Sequence, residues 1–243
     1  MTEELELLPR QGDWLQTFSG KSLYPFDIRP EDIDINDIAH ALSLMCRFNG
    51  HCKEFYSVAE HSVRVAWHME NKYREYGLCT PTPDKTSIYG LTHDMQEFIL
   101  CDFPRPLKRN FPEYKKLEKD VYECILKKFG LSTDFDNIPC FDNYGLSNGN
   151  KACYFPTRNF IPVNEAVKKA DNILLATEKR DLMEREPQDW HLDAEPLDER
   201  IVPYSSKDAE RLFLSEFYRL YKGMSVLIPA KQDTPLADIC KEK

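Results

Sequence analysis

The stretch Ile88-Tyr-Gly-Leu-Thr-His-Asp-Met-Gln-Glu-Phe-Ile-Leu-Cys-Asp102 decides how this chain is read. It is expected to lie in a helix from about Lys85 to Leu100. At its centre His93-Asp94 offers one nitrogen and one oxygen donor from a single turn, and Glu97 falls one turn further along the face of His93. That is a ligand pair with a spare carboxylate beside it. A helical histidine alone is more often a packed or solvated side chain, so the weight of the pair rests on what other segments bring to it.

The chain has 243 residues, 42% of them hydrophobic, enough to bury a sizeable core as one domain. Its net charge of −9 argues against general nucleic-acid binding, which rewards a surplus of Lys and Arg. The eight cysteines contain no Cys-x-x-Cys pair and no zinc-ribbon spacing. Met1-Thr-Glu-Glu-Leu-Glu6 is acidic where a secretory signal would be basic and then apolar, so free thiols in a reducing cytoplasm are expected. No apolar run approaches the ~18 residues of a membrane span.

Working outward from the central stretch, residues 1–35 form a proline-punctuated lead-in. A helix capped by Asp34 or Asn36 carries Ile38, Leu42 and Met45 on one face and is expected to end near Asn49-Gly50, with Arg47 in its last turn. Ser57-Val-Ala-Glu60 has the form of a capping box and starts a helix running to about Tyr73. His61 then lies in the first turn, where free amides favour the neutral imidazole that metals bind.

After residue 100, Asp102-Phe-Pro-Arg-Pro-Leu-Lys108 is expected to stop the helix, with Pro106 forbidding resumption. A scaffold helix follows from Pro112 to Phe129, closed by Gly130. Residues 131–162 lack a period and read as an irregular insertion, a lid or a long surface loop. A helix from about Asn164 to Met183 sets Asp171 among Val167, Ala170 and Leu174. A carboxylate on an apolar face costs a few kcal/mol or more unless partnered, and a cation is the simplest partner. Glu184 to Pro203 is polar and broken by prolines, a last helix runs from Ser205 or Ser206 to Tyr221, and 223–243 is a tail. The chain reads as a single all-α domain of five to seven helices with no strand pattern.

His61, His93, Asp94 and Asp171 thus come from three helices. Two imidazoles and two carboxylates suit one divalent ion such as Mn²⁺, Co²⁺, Fe²⁺, Zn²⁺ or Mg²⁺, and leave two octahedral positions for water and a phosphate oxygen.

At this point the sequence resembles the HD-domain metal-dependent phosphohydrolases, whose signature is His, then His-Asp, then a distant Asp. Arg47-Phe48, Tyr56-Ser-Val-Ala-Glu-His-Ser62, His93-Asp-Met-Gln-Glu97, Asp102-Phe-Pro-Arg-Pro-Leu-Lys108 and Lys169-Ala-Asp171 are similar to the bacterial and phage 5′-deoxynucleotidase branch, over roughly residues 22–222. The resemblance implies an HD-domain helical bundle in which His61, His93, Asp94 and Asp171 hold one metal. Glu97 would position or deprotonate the attacking water. Arg47 would contact the substrate phosphate, and Asp102 would orient the sugar or help protonate the leaving oxygen. Lys108 is a further phosphate candidate. Phe48 stands where that branch often has Trp beside the sugar, so an aromatic wall survives without the indole donor and strict preference for deoxyribose is not implied.

The activity expected is release of the 5′-phosphate from deoxynucleoside monophosphates. One alternative is a deoxynucleoside triphosphate triphosphohydrolase, with Arg105, Lys108 and Arg109 serving the extra phosphates. Another is a nucleotide-binding regulatory module without turnover. A cyclic-nucleotide phosphodiesterase is disfavoured because His40, His51, His68 and His191, the remaining histidines, form no second His-Asp pair for a second metal. The partners expected are a small-molecule nucleotide and, by resemblance, a second copy of the chain, with neither nucleic acid nor membrane.

Overall fold

A computed structural model describes residues 9–75, 86–135 and 163–225 of the protein. Among them are eight α-helical segments: α1 (Ile35–Leu44), α2 (Val58–Glu75), α3 (Ser87–Thr92), α4 (Glu97–Leu100), α5 (Arg105–Lys108), α6 (Pro112–Lys128), α7 (Val163–Leu182) and α8 (Ser206–Ser225). The protein is mostly helical, as the periodicity predicts. Among the described residues the strand content is a minimal antiparallel pair, β1 (Leu15–Gln16) with β2 (Ser22–Leu23), too short for any alternation to announce it. The expected insertion at 131–162 and tail at 223–243 lie largely outside the described residues.

Helix α2 is the central element and packs against α1, α3, α7 and α8. Its fully buried Val63 meets Ile38 and Leu42 of α1, Ile88 and Leu91 of α3, Ile125 of α6 and Phe213 of α8 in one continuous core. Each such side chain contributes about 1.5–3 kcal/mol by leaving water. Caps fix where the helices begin. The Asp34 side chain accepts from the Asn36 amide at α1, Ser57 Oγ accepts from the Glu60 amide at α2, and Ser205 Oγ accepts from the Asp208 amide at α8. The box at α2 is only half formed, because Glu60 turns instead to Arg64 and to the Tyr204 amide. Past Lys128, Gly130 takes φ +65°, the left-handed geometry that ends α6.

Three local expectations are corrected. Helix α1 ends at Leu44, short of Asn49-Gly50. Met45 and Cys46 are extended, and Arg47–Gly50 is a tight turn in which Phe48 and Asn49 both have φ above +50°. The reason is a strand-like staple: the Arg47 amide donates to the Tyr56 carbonyl and the Val58 amide to the Met45 carbonyl, so the chain folds back on the start of α2. The helix expected over Lys85–Leu100 is divided at His93–Gln96, where bonds tighten to three-residue spacing, Met95 amide to Thr92 carbonyl and Glu97 amide to Asp94 carbonyl. Pro106 does not forbid helix: it sits in the first turn of α5, where no amide is needed.

Close approach of α3 to α2 depends on Gly90. A Cβ there would lie 2.6 Å from Met69 Sδ and 3.3 Å from Ala66 Cα. This contact sets His93, at the end of α3, beside His61 in the first turn of α2.

Candidate metal centre

Imidazoles from α2 and from the end of α3 converge with a carboxylate from α7. His61 Nε2 and His93 Nε2 are 3.3 Å apart, and Asp171 Oδ1 is 3.3 Å from His61 Nε2. One ligand atom from each of these three residues falls within 4.8 Å of the others, a group that could hold a metal ion. Asp94 adjoins it: its Oδ2 lies 3.1 Å from His93 Nε2 and 3.7 Å from His61 Nε2.

The tautomers follow from the partners on the far side of each ring. His61 Nδ1 is 2.6 Å from Glu178 Oε1, and His93 Nδ1 is 2.7 Å from the Gly90 carbonyl oxygen. Both partners accept, so both Nδ1 atoms donate and the two Nε2 atoms are the ones that face the centre. An imidazole anchored through one nitrogen to a carboxylate or carbonyl is the usual support of a metal ligand, and the donor set fits a divalent cation. Asp171 is braced likewise: while Oδ1 faces His61, Oδ2 accepts from Arg105 at 2.6 Å.

Glu178 is the residue that sequence reasoning missed. It lies two turns beyond Asp171 on α7, fully buried, and joins His61 to Arg47, whose Nε and Nη2 donate to Glu178 Oε2 at 3.2 and 3.1 Å. A carboxylate seven residues from Asp171 on the same stripe was the available signal. Burial would push its pKa up, but Arg47 and His61 hold it below the ordinary carboxylate value. At Asp94 and Asp171 the histidines likewise outweigh burial and keep both carboxyls well below their usual range. Burial and the Arg47 charge work against a proton on His61, yet Glu178 and Asp171 prevail and raise its pKa to about 9. The spot draws positive charge, and a divalent cation held there would compete with the proton on His61.

Glu97 is buried, with Oε1 3.6 Å from Lys108 Nζ and, among the described residues, no hydrogen-bond partner for Oε2. Burial and the negative charges of Asp94 and Asp102 push its pKa well above the ordinary value. Lys108 is held between Glu118, at 2.6 Å, and Glu97, so its charge is committed to carboxylates. Arg47 is buried, with Nη1 turned toward Asp94 Oδ2 at 3.6 Å. Asp102 Oδ2 accepts from the Phe48 amide at 3.3 Å, and the residue before it, Cys101, has φ 66° and ψ 159°. Left-handed backbone at Phe48, Asn49 and Cys101 costs of order 1–3 kcal/mol each, and such strain gathers where ligands bind.

Among the described residues no helix is long and apolar enough to cross a membrane. No family model matches the chain. It is 25% identical over 216 residues to the uncharacterized protein RCAP_rcc00048 of Rhodobacter capsulatus, covering 88% of this chain and 85% of that relative. It is 34% identical over 209 residues to the uncharacterized protein YfdR of Escherichia coli strain K12, covering 84% of this chain and 93% of the relative. Identity at that level over nearly the whole of both proteins means that the chain belongs to the YfdR family.

Proposed function

We propose that the protein is an HD-domain, metal-dependent phosphohydrolase that releases the 5′-phosphate from deoxynucleoside monophosphates. The observation that carries this reading is the convergence of His61 Nε2 and His93 Nε2, each ring anchored through Nδ1, on Asp171 and Asp94. The buried, unpartnered Oε2 of Glu97 nearby supports it.

His61, His93, Asp94 and Asp171 hold the cation. When bound, a divalent ion at such a set lowers the pKa of water and polarises a phosphoryl oxygen. Glu97 accepts the proton of the attacking water, a task suited to a buried carboxylate that burial and the neighbouring Asp94 and Asp102 charges make more basic than usual. The water oxygen bonds to phosphorus as the bond to the 5′-oxygen breaks, and the proton passes to that leaving oxygen. The Nη1 edge of Arg47, 3.6 Å from Asp94 Oδ2, stabilises charge on the phosphoryl oxygens, while Asp102 orients the sugar. Arg105, 54% exposed and paired with Asp171 Oδ2 at 2.6 Å, supports triphosphates as a second substrate class, because an exposed guanidinium beside a candidate ligand suits a further phosphate.

Product analysis tests both readings. Metal-stripped protein given Mn²⁺, Co²⁺ or Mg²⁺ is offered ribo- and deoxynucleoside mono- and triphosphates. Orthophosphate from monophosphates supports the nucleotidase, and tripolyphosphate from triphosphates supports the triphosphohydrolase. No product above an Asp94→Ala control, alongside measurable nucleotide binding, leaves a binding module without turnover.

A further inference from the structure

Trp190 lies in the proline-broken segment between α7 and α8, which carries no periodic pattern, yet its ring centroid is 6.1 Å from that of Phe48 with the planes tilted at 56°. Position 48 is Phe, where the family that the sequence resembles often has Trp. The fold brings an indole beside Phe48 from 142 positions further along the chain.

Both rings are partly exposed, and both are held. Phe48 sits under the Arg47 guanidinium, whose carbon is 5.4 Å from the ring centroid, and its amide donates to Asp102. Its left-handed backbone, φ 56° and ψ 28°, is a costly geometry for a bulky residue. Trp190 is flanked by Lys179 Nζ at 5.9 Å from its centroid, and Lys179 is fixed by Glu186 at 2.8 Å. The corner therefore begins at Arg47, whose Nη1 lies 3.6 Å from Asp94 Oδ2, and at Asp102, which accepts from the Phe48 amide, and runs on to Trp190. A phosphomonoester with its phosphate at Arg47 would extend its other end along this corner. Two tilted aromatic rings flanked by cations suit a planar, electron-rich heteroaromatic group, which stacks on one ring and meets the edge of the other.

We propose that Trp190 is a specificity-determining residue that completes, with Phe48, an aromatic corner on which the base of the nucleotide stacks. This rests on the hydrolase reading for the placement of phosphate at Arg47, but the subsite itself is testable by binding alone. Lys179 and Glu186 act as positioning residues behind the indole.

Calorimetric binding of thymidine 5′-monophosphate and of 2-deoxyribose 5-phosphate, with and without Mn²⁺, is compared for the wild-type chain, Trp190→Ala and Trp190→Phe. Base stacking on an aromatic side chain corresponds to about a 5- to 150-fold gain in affinity. The wild-type chain binds the nucleotide tighter than the sugar phosphate by a factor in that range. Trp190→Ala removes that advantage and leaves the sugar phosphate unchanged, and Trp190→Phe keeps most of it. Equal binding of the two ligands by the wild-type chain overturns the proposal, and so does an equal loss for both ligands in Trp190→Ala. Base-dependent binding without phosphate release retains the subsite and removes the hydrolase reading instead.

Discussion

Glu178 and His61 form a buried pair, Oε1 to Nδ1 at 2.6 Å, with neither side chain exposed to solvent. The pair fixes the tautomer of His61 and turns its Nε2 toward His93 and Asp171. Because the other oxygen of Glu178 receives two donors from Arg47, one carboxylate aligns both the candidate ligand His61 and the guanidinium proposed to meet phosphate.

Removing that carboxylate should therefore act twice. Glu178→Ala is expected to weaken metal binding 10- to 100-fold, as loss of a ligand's supporting hydrogen bond does. It also leaves Arg47 buried without its partner, a change that destabilises by about 3–5 kcal/mol. Glu178→Gln keeps an acceptor for the His61 ring and should lose less metal affinity than the alanine variant. Metal titration with urea denaturation checks both effects. Unchanged affinity in Glu178→Ala would remove its positioning role.

Gly90 tests how His93 is placed. A methyl group there meets Met69 Sδ and the Ala66 backbone, so Gly90→Ala is expected to cost about 1–3 kcal/mol, as overpacking does. By pushing α3 from α2 it also separates His93 from His61, so metal affinity falls with stability. Denaturation midpoints and metal titration on the same sample report the two together.

Glu97 should separate binding from chemistry. Glu97→Gln preserves volume in a buried site and leaves the four ligands intact, so metal content and KM stay near wild type. Loss of a general base lowers kcat by about 10²- to 10⁴-fold. Steady-state phosphate release with metal analysis decides it, and a variant that loses metal instead would make Glu97 a ligand.

Asp181 links acid sensitivity to the segment that carries Trp190. Its carboxylate pairs with Arg180 and accepts from the Ile201 amide at 2.9 Å. Its pKa is lowered from the ordinary 3.8, chiefly by Arg180, with burial opposing and the Ile201 amide helping. A carboxyl depressed in the folded state contributes stability above its unfolded pKa, and that contribution fades as pH falls through the folded value. Asp181→Asn should be less stable than wild type at pH 7, with the gap narrowing as pH drops below about 4. Urea denaturation at several pH values measures it, and a gap independent of pH would assign the loss to packing.

Residues that carry their own chemistry were legible. His61, His93-Asp94 and Asp171 announce themselves by type, and an apolar stripe around Asp171 says that the carboxylate needs a partner. Glu178 was not read, because its importance lies in a two-turn spacing and in Arg47 arriving from another segment. Arg47 was expected in a helical turn, since nothing in Arg47-Phe-Asn-Gly50 betrays left-handed backbone at Phe48 and Asn49. The tightening at His93–Gln96 was hidden by an unbroken helical composition. Trp190 has no local pattern at all, and only the fold brings it to Phe48.

Metal-dependent phosphate release is measured by titrating Mn²⁺ or Co²⁺ into metal-stripped protein while following orthophosphate release from thymidine 5′-monophosphate. The expected curve rises from no activity, saturates near one equivalent of metal, and stays flat for Asp171→Ala. Release that is independent of added metal, or none from any nucleotide in protein that has bound its metal, would contradict the account.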